Sequence, residues 1–125
     1  MFNHCEIDVT PLSRVTINGT RYYELGDKKL PSITSITSHK SRKSIAAWRR
    51  KVGAAEANKI SRRAASRGTD THTLTEHYLR NLDLPDVQPL SDFLFKISKP
   101  FLNNLDNIYA LEKPLYSRQL CVAGT

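Results

Sequence analysis

The chain has 125 residues, 39% of them hydrophobic, with a net charge of +7 and an isoelectric point near 9.7. That length suits one domain with a real core and argues against wholesale disorder, while Cys5 and Cys121 make neither a metal-ligand spacing nor a disulfide framework. With no apolar run long enough for a signal peptide or a membrane span, a soluble intracellular protein with reduced thiols and no membrane partner is expected.

Residues 1–13 are mixed, end near Pro11 and read as a loose lead-in. Arg14–Leu25 reads as a β-hairpin: Val15 and Ile17 alternate with polar residues, Asn18-Gly19 is a two-residue turn signal, and Tyr22 and Tyr23 follow. Gly26-Asp27-Lys28-Lys29 reads as a polar turn. Ser32 is placed to cap a short helix with Ile33 and Ile36 on one face. The hydroxyls of Ser32 and Thr34 at that helix start either make an ordinary capped turn or touch a phosphate backbone. Ser41 or Ser44 is placed to cap a further helix through Trp48, ending at Gly53. Trp48 is either a core anchor or a base-stacking platform.

Ala54 to about Asn81 reads as a long helix, with a possible break at Gly68. At 100° per residue Ile60, Ala64, Thr71, Leu74 and Tyr78 share a stripe, the expected core face. A second face carries Ala54, Ala57, Ala65 and Gly68, then His72 and Glu76. Leu82–Pro89 is a turn. Residues 90–107 repeat apolar side chains at spacings of three and four, which is an amphipathic helix that Pro100 should kink or divide. Residues 108–112 and then 115–122 read as strands of a sheet that opens near the end of these 125 residues. A strand with so few partners is expected to be poorly stable. The fold class expected is α+β.

The charge is not spread evenly. Lys40–Arg67 holds ten of the nineteen basic residues and one acid, Glu56, whereas the remainder holds nine bases and eleven acids. Such a patch on a near-neutral body reads either as a nucleic-acid footprint or as a solvated helix face. In the first reading Arg49, Arg50, Lys59, Arg62, Arg63 and Arg67 would hold phosphates, with Ser32 and Thr34 beside them.

The sharpest chemical pattern is Arg67-Gly68-Thr69-Asp70-Thr71-His72-Thr73-Leu74-Thr75-Glu76. On a helix His72 and Glu76 lie about 6 Å apart along the axis and about 40° apart around it, so both reach one point above the surface. An imidazole and a carboxylate can share a divalent cation or handle the proton of an attacking water; they can equally be a surface pair. His72 and His77, five apart, do not have zincin spacing.

Taken in order, a Pro-Ser-x-Thr-x-Ile turn (from Pro31), a helix with Trp48, and an Ala-rich helix running into Arg-Gly-Thr-x-x-His-x-x-x-Glu-x-Tyr-Leu come first. A second amphipathic helix, Glu112-x-Pro114-Leu-Tyr116-Ser117 and Ala-Gly-Thr follow. This order resembles the N-terminal portion of a PD-(D/E)XK exonuclease of the RecB-type group, such as phage-encoded and mitochondrial genome maintenance exonucleases. It covers residues 22–125, and residues 67–79 are its most specific part. The resemblance implies helices packed on a restriction-endonuclease-like sheet, and Mg²⁺- or Mn²⁺-dependent hydrolysis of DNA single strands or ends. It makes His72 a metal-assisting catalytic residue and Glu76 a support to the site. Glu112 matches an acidic residue often found where the first sheet strand starts. The Asp that follows Ala-Gly-Thr in relatives, the Asp/Glu-x-Lys pair and a later glutamine or tyrosine are not among these 125 residues. The resemblance therefore implies a fragment inactive alone, with a complementing C-terminal fragment as partner, and a host-cell cytoplasmic location if phage-encoded. A non-catalytic basic helical DNA-binding module is the alternative, and a fragment whose open strand pairs with a partner is a third reading.

Overall fold

The computed structural model describes residues 1–5 and 7–125. The chain is α+β and divides into two compact units, Met1–Glu6 with Val52–Leu111, and Ile7–Lys51 with Glu112–Thr125. The elements in order are β1 (Ser13–Ile17), β2 (Thr20–Leu25), β3 (Lys28–Pro31), α1 (Ile33–Val52), α2 (Ala54–Leu79), α3 (Pro89–Leu102), β4 (Leu115–Ser117) and β5 (Val122–Gly124). Among the described residues no helix is long and apolar enough to cross a membrane.

The second unit carries the strands. β1 and β2 form the expected hairpin, with Ile17 opposite Thr20 and both Asn18 and Gly19 at positive φ, 50° and 77°. Paired positive φ values match the right-handed strand twist, which is why Asn-Gly serves here. Gly26-Asp27 turns the chain again, and Lys28–Pro31 is a third antiparallel strand rather than part of a polar turn. Only Leu30 of β3 points inward; it lies opposite Tyr23, and the two are buried with Ala123 of β5, flanked by Leu12, Leu25 and Tyr116. The Tyr23 hydroxyl lies 2.9 Å from Thr125 Oγ1, so β5 is tied to this core.

Residues 115–122, expected as one strand, are instead β4 and the start of β5, paired antiparallel about a tight connection in which Cys121 takes φ 54°. Residues 108–112 form no strand: Glu112 sits in a loop at φ 51°, and Ile108 makes only an isolated bridge to His4.

α1 is one helix of twenty residues, not two capped helices. The hydroxyls of Ser41 and Ser44 donate to the carbonyls of Ser38 and Ser41 (3.2 and 2.8 Å), so neither begins a helix. None of its residues is buried. It stops at Gly53, whose φ of 92° and ψ of 146° belong to glycine. A Cβ there would meet no atom within 4 Å, so the cost of a side chain is backbone strain alone. Gly53→Ala is expected to destabilise the chain by about 1–3 kcal/mol, read from denaturant midpoints; a stability equal to the parent would contradict this.

The first unit is helical. α2 runs unbroken through Gly68. Its buried residues are Ala57, Leu74 and Leu79, whereas Ile60 and Ala64 are exposed, so the expected core stripe holds only in its C-terminal half. The helix ends in a Schellman pattern with Asn81 left-handed at φ 57°: Leu82 N donates to His77 O (2.9 Å) and Asn81 N to Tyr78 O (3.1 Å). Asn81 then pins the start of the chain, accepting from Phe2 N at 2.8 Å and donating to Phe2 O at 2.9 Å. His4 Nε2 donates to Leu79 O at 2.7 Å, so residues 1–5 are not the loose lead-in expected of them. Asp106 accepts from Asn107 N and Asn3 Nδ2, and these donors hold its carboxyl below its ordinary pKa.

α3 ends at Leu102, five residues short of expectation, and Pro100 lies inside its last turn without dividing it. Residues 103–105 close it with backbone turns. Phe95 and Ser91 are its buried residues, and they face α2.

Candidate nucleic-acid interface

The Arg67–Glu76 motif lies wholly on α2, which places Arg67, Thr71, His72 and Thr75 along one side of the helix. α3 approaches that side, and an open depression of about 670 Å³ lies between the two helices. Leu90 and Leu94 of α3 form its apolar wall, and Gly68 keeps its floor low. Asp70 fixes the approach: Ser91, fully buried in the first turn of α3, donates its hydroxyl to Asp70 Oδ2 at 3.1 Å. Nothing in the sequence singled out Asp70, because its partner is twenty-one residues away.

The threonines divide by role. Thr73 and Thr75 donate back to the carbonyls of Thr69 and Thr71 (3.0 and 2.8 Å). Thr71 Oγ1 is buried, with no hydrogen-bond partner among the described residues.

His72 is exposed and lines the depression. Glu76 is half-buried and does not line it; its Oε1 accepts from Arg80 Nε at 2.8 Å. Glu76 thus forms an i,i+4 ion pair through one of its carboxylate oxygens. Among the described residues no group of three or more His, Cys, Asp or Glu side chains is placed to hold a metal ion. A hard divalent cation prefers several carboxylate oxygens, so His72 with an already paired Glu76 does not by itself fit Mg²⁺ or Mn²⁺.

The basic residues fall in both units. In the second unit, Arg50 is exposed and Arg49 half-buried on α1, while Thr34 is exposed at its start. Ser32 is buried, and its Oγ lies 2.6 Å from Thr34 Oγ1, so its hydroxyl is withdrawn from any phosphate. In the first unit Lys59 pairs loosely with Glu56 at 3.9 Å. Arg62 and Arg63 are exposed and Arg67 half-buried; together with Ser66, Gln88 and Leu90 they wall a second recess of about 470 Å³. Among the described residues no carboxylate is ion-paired with these three guanidinium groups. The sequence named the three arginines, but not Gln88 or Leu90, which reach the recess only through the packing of α3.

The site and fold together define an α+β chain whose helical unit presents an arginine-walled recess next to an apolar, histidine-edged groove. The chain matches no protein-family model, and neither a curated protein nor a solved structure is significantly similar to it.

Proposed function

We propose that the chain supplies the helical part of a DNA exonuclease of the RecB-type PD-(D/E)XK group. The observation that carries the reading is the Arg-Gly-Thr-x-x-His-x-x-x-Glu sequence on one unbroken helix, with His72 opening onto a groove that shares Arg67 with a recess whose arginines are ion-paired with no carboxylate among the described residues. In this reading Arg62, Arg63 and Arg67, with Lys59 and with Arg49, Arg50 and Thr34 of the second unit, bind the phosphates of DNA. Little base preference is expected, since the contacts are to backbone charge. Mg²⁺ or Mn²⁺ is the cation such an enzyme requires. His72 and Glu76 cannot hold it unaided, so the reading needs carboxylates beyond those described here, and no hydrolytic step is assigned to these two side chains alone. The nuclease-like sheet is likewise proposed: β4 and β5 pair as a two-stranded sheet, and Ala123 of β5 adds an isolated parallel bridge to Ser32.

The test is complementation. The chain joined to a segment bearing the family's Asp and Asp-x-Lys should digest DNA when Mg²⁺ is added. His72→Ala should then lower the rate at least about 100-fold, the usual scale for a group acting at the reacting centre. Undiminished digestion by the alanine variant would remove His72 from the site.

A second reading, a basic helical DNA-binding module without catalysis, is favoured by the Glu76–Arg80 pair. It requires DNA binding without hydrolysis in that complemented protein.

A further inference from the structure

We infer that the arginine recess of the first unit is a binding pocket for the terminal phosphomonoester of a nucleic-acid strand. Arg62 stacks over Ser66 and Arg63 over Arg67, four residues apart in each case, so two adjacent columns of α2 present three guanidinium groups to one recess. Gln88 and Leu90 close it from the start of α3, whose positive end adds to the field.

Four neighbouring acids meet partners outside the recess, and Asp86, two residues before Gln88, is exposed. Glu56 meets Lys59, Glu76 meets Arg80, Asp92 meets Lys96 at 2.6 Å, and Asp70 accepts from Ser91. Three guanidinium groups in one recess, none ion-paired with a carboxylate among the described residues, favour an anion of more than one charge. An internal phosphodiester offers two non-bridging oxygens and a single charge. A terminal monoester offers three oxygens and nearly two charges, and can accept paired N–H donors from several guanidinium groups at once.

The recess also has a neighbour of the right chemistry. The His72 groove shares Arg67 and Leu90 with it. There Gly68 allows a sugar close to the helix, Leu90 and Leu94 give a base an apolar wall, and the buried Thr71 hydroxyl has no partner among the described residues. A strand end with its phosphate in the recess therefore lays its last nucleoside toward His72. This rests on the nucleic-acid part of the function proposed above and not on hydrolysis.

The experiment is fluorescence anisotropy without added metal, using thymidine oligonucleotides of one length with a 5′-phosphate, a 3′-phosphate or hydroxyls at both ends. One phosphorylated form should bind at least about tenfold tighter than the hydroxyl-ended strand, roughly 1.4 kcal/mol, and inorganic phosphate should compete. Arg63→Gln, and separately Arg62→Gln, should reduce that preference to about twofold or less, while Lys96→Gln keeps it. Equal binding of all three strands overturns the pocket and leaves general DNA binding standing. A preference that survives both arginine substitutions also overturns it. No binding of any strand overturns the pocket and the DNA reading together.

Discussion

Phe95→Ala should destabilise the helical unit by about 3–5 kcal/mol, with loss of the α2–α3 groove. Phe95 is 2% exposed and is the largest fully buried side chain of α3. Its ring meets Tyr78 edge-on at 5.5 Å, and Tyr78 in turn meets Phe2 edge-on at 5.1 Å, with Lys99 Nζ 4.8 Å above it. Each such ring pair contributes about 0.5–1.5 kcal/mol beyond its buried area, so the truncation opens a cavity and removes one of the two pairs. A small unit has little stability to spare against a loss of that size. Phe93, two residues earlier and 57% exposed, provides the contrast: Phe93→Ala should change stability by about 0.5 kcal/mol or less. Chemical denaturation followed by circular dichroism decides it, and similar midpoints for the two variants would refute this account of the core.

The same contrast shows what was legible in the sequence. The spacing of Leu90, Leu94, Ile97 and Phe101 predicts the helix correctly, yet those side chains are exposed at 39–73%, while Phe95 and Ser91 are buried. Periodicity identifies a helix, but which face it buries depends on the partner, and here Ser91 is drawn inward by Asp70 of α2. The serine and threonine run of α1 misleads for a different reason. Serine and threonine commonly mark caps, so its run suggested a turn and a second helix; within a helix their hydroxyls instead bond the preceding turn, as Thr37, Ser38, Ser41 and Ser44 do. β3 was hidden because two lysines and a proline suit an edge strand with a single inward residue, Leu30. By contrast, Asn18-Gly19 and Gly53 were legible, since each needs a positive φ that few residues adopt cheaply. In the candidate site the arginines were legible as charge. The ion pair of Glu76 with Arg80 was not, because side-chain direction is something that spacing leaves open.

Reversing charge at Arg62 and Arg63 together should reduce binding to single-stranded DNA by about two to three orders of magnitude near physiological salt. Each phosphate contact releases condensed counterion, and for single strands the slope of log affinity against log salt is about 0.7 per contact. Two lost contacts should therefore flatten the slope by about 1.4, and two new carboxylates in the recess add repulsion to the lost attraction. Both side chains are exposed on α2, and neither is ion-paired with an acid among the described residues, so the double variant Arg62→Glu/Arg63→Glu should keep its fold. Salt titrations of parent and variant read affinity and slope separately. A weaker variant with an unchanged slope would mean that the arginines do not meet phosphate. A parent whose binding ignores salt would mean that the basic run is only a solvated helix face, and the recess beside His72 would then have no claim on DNA.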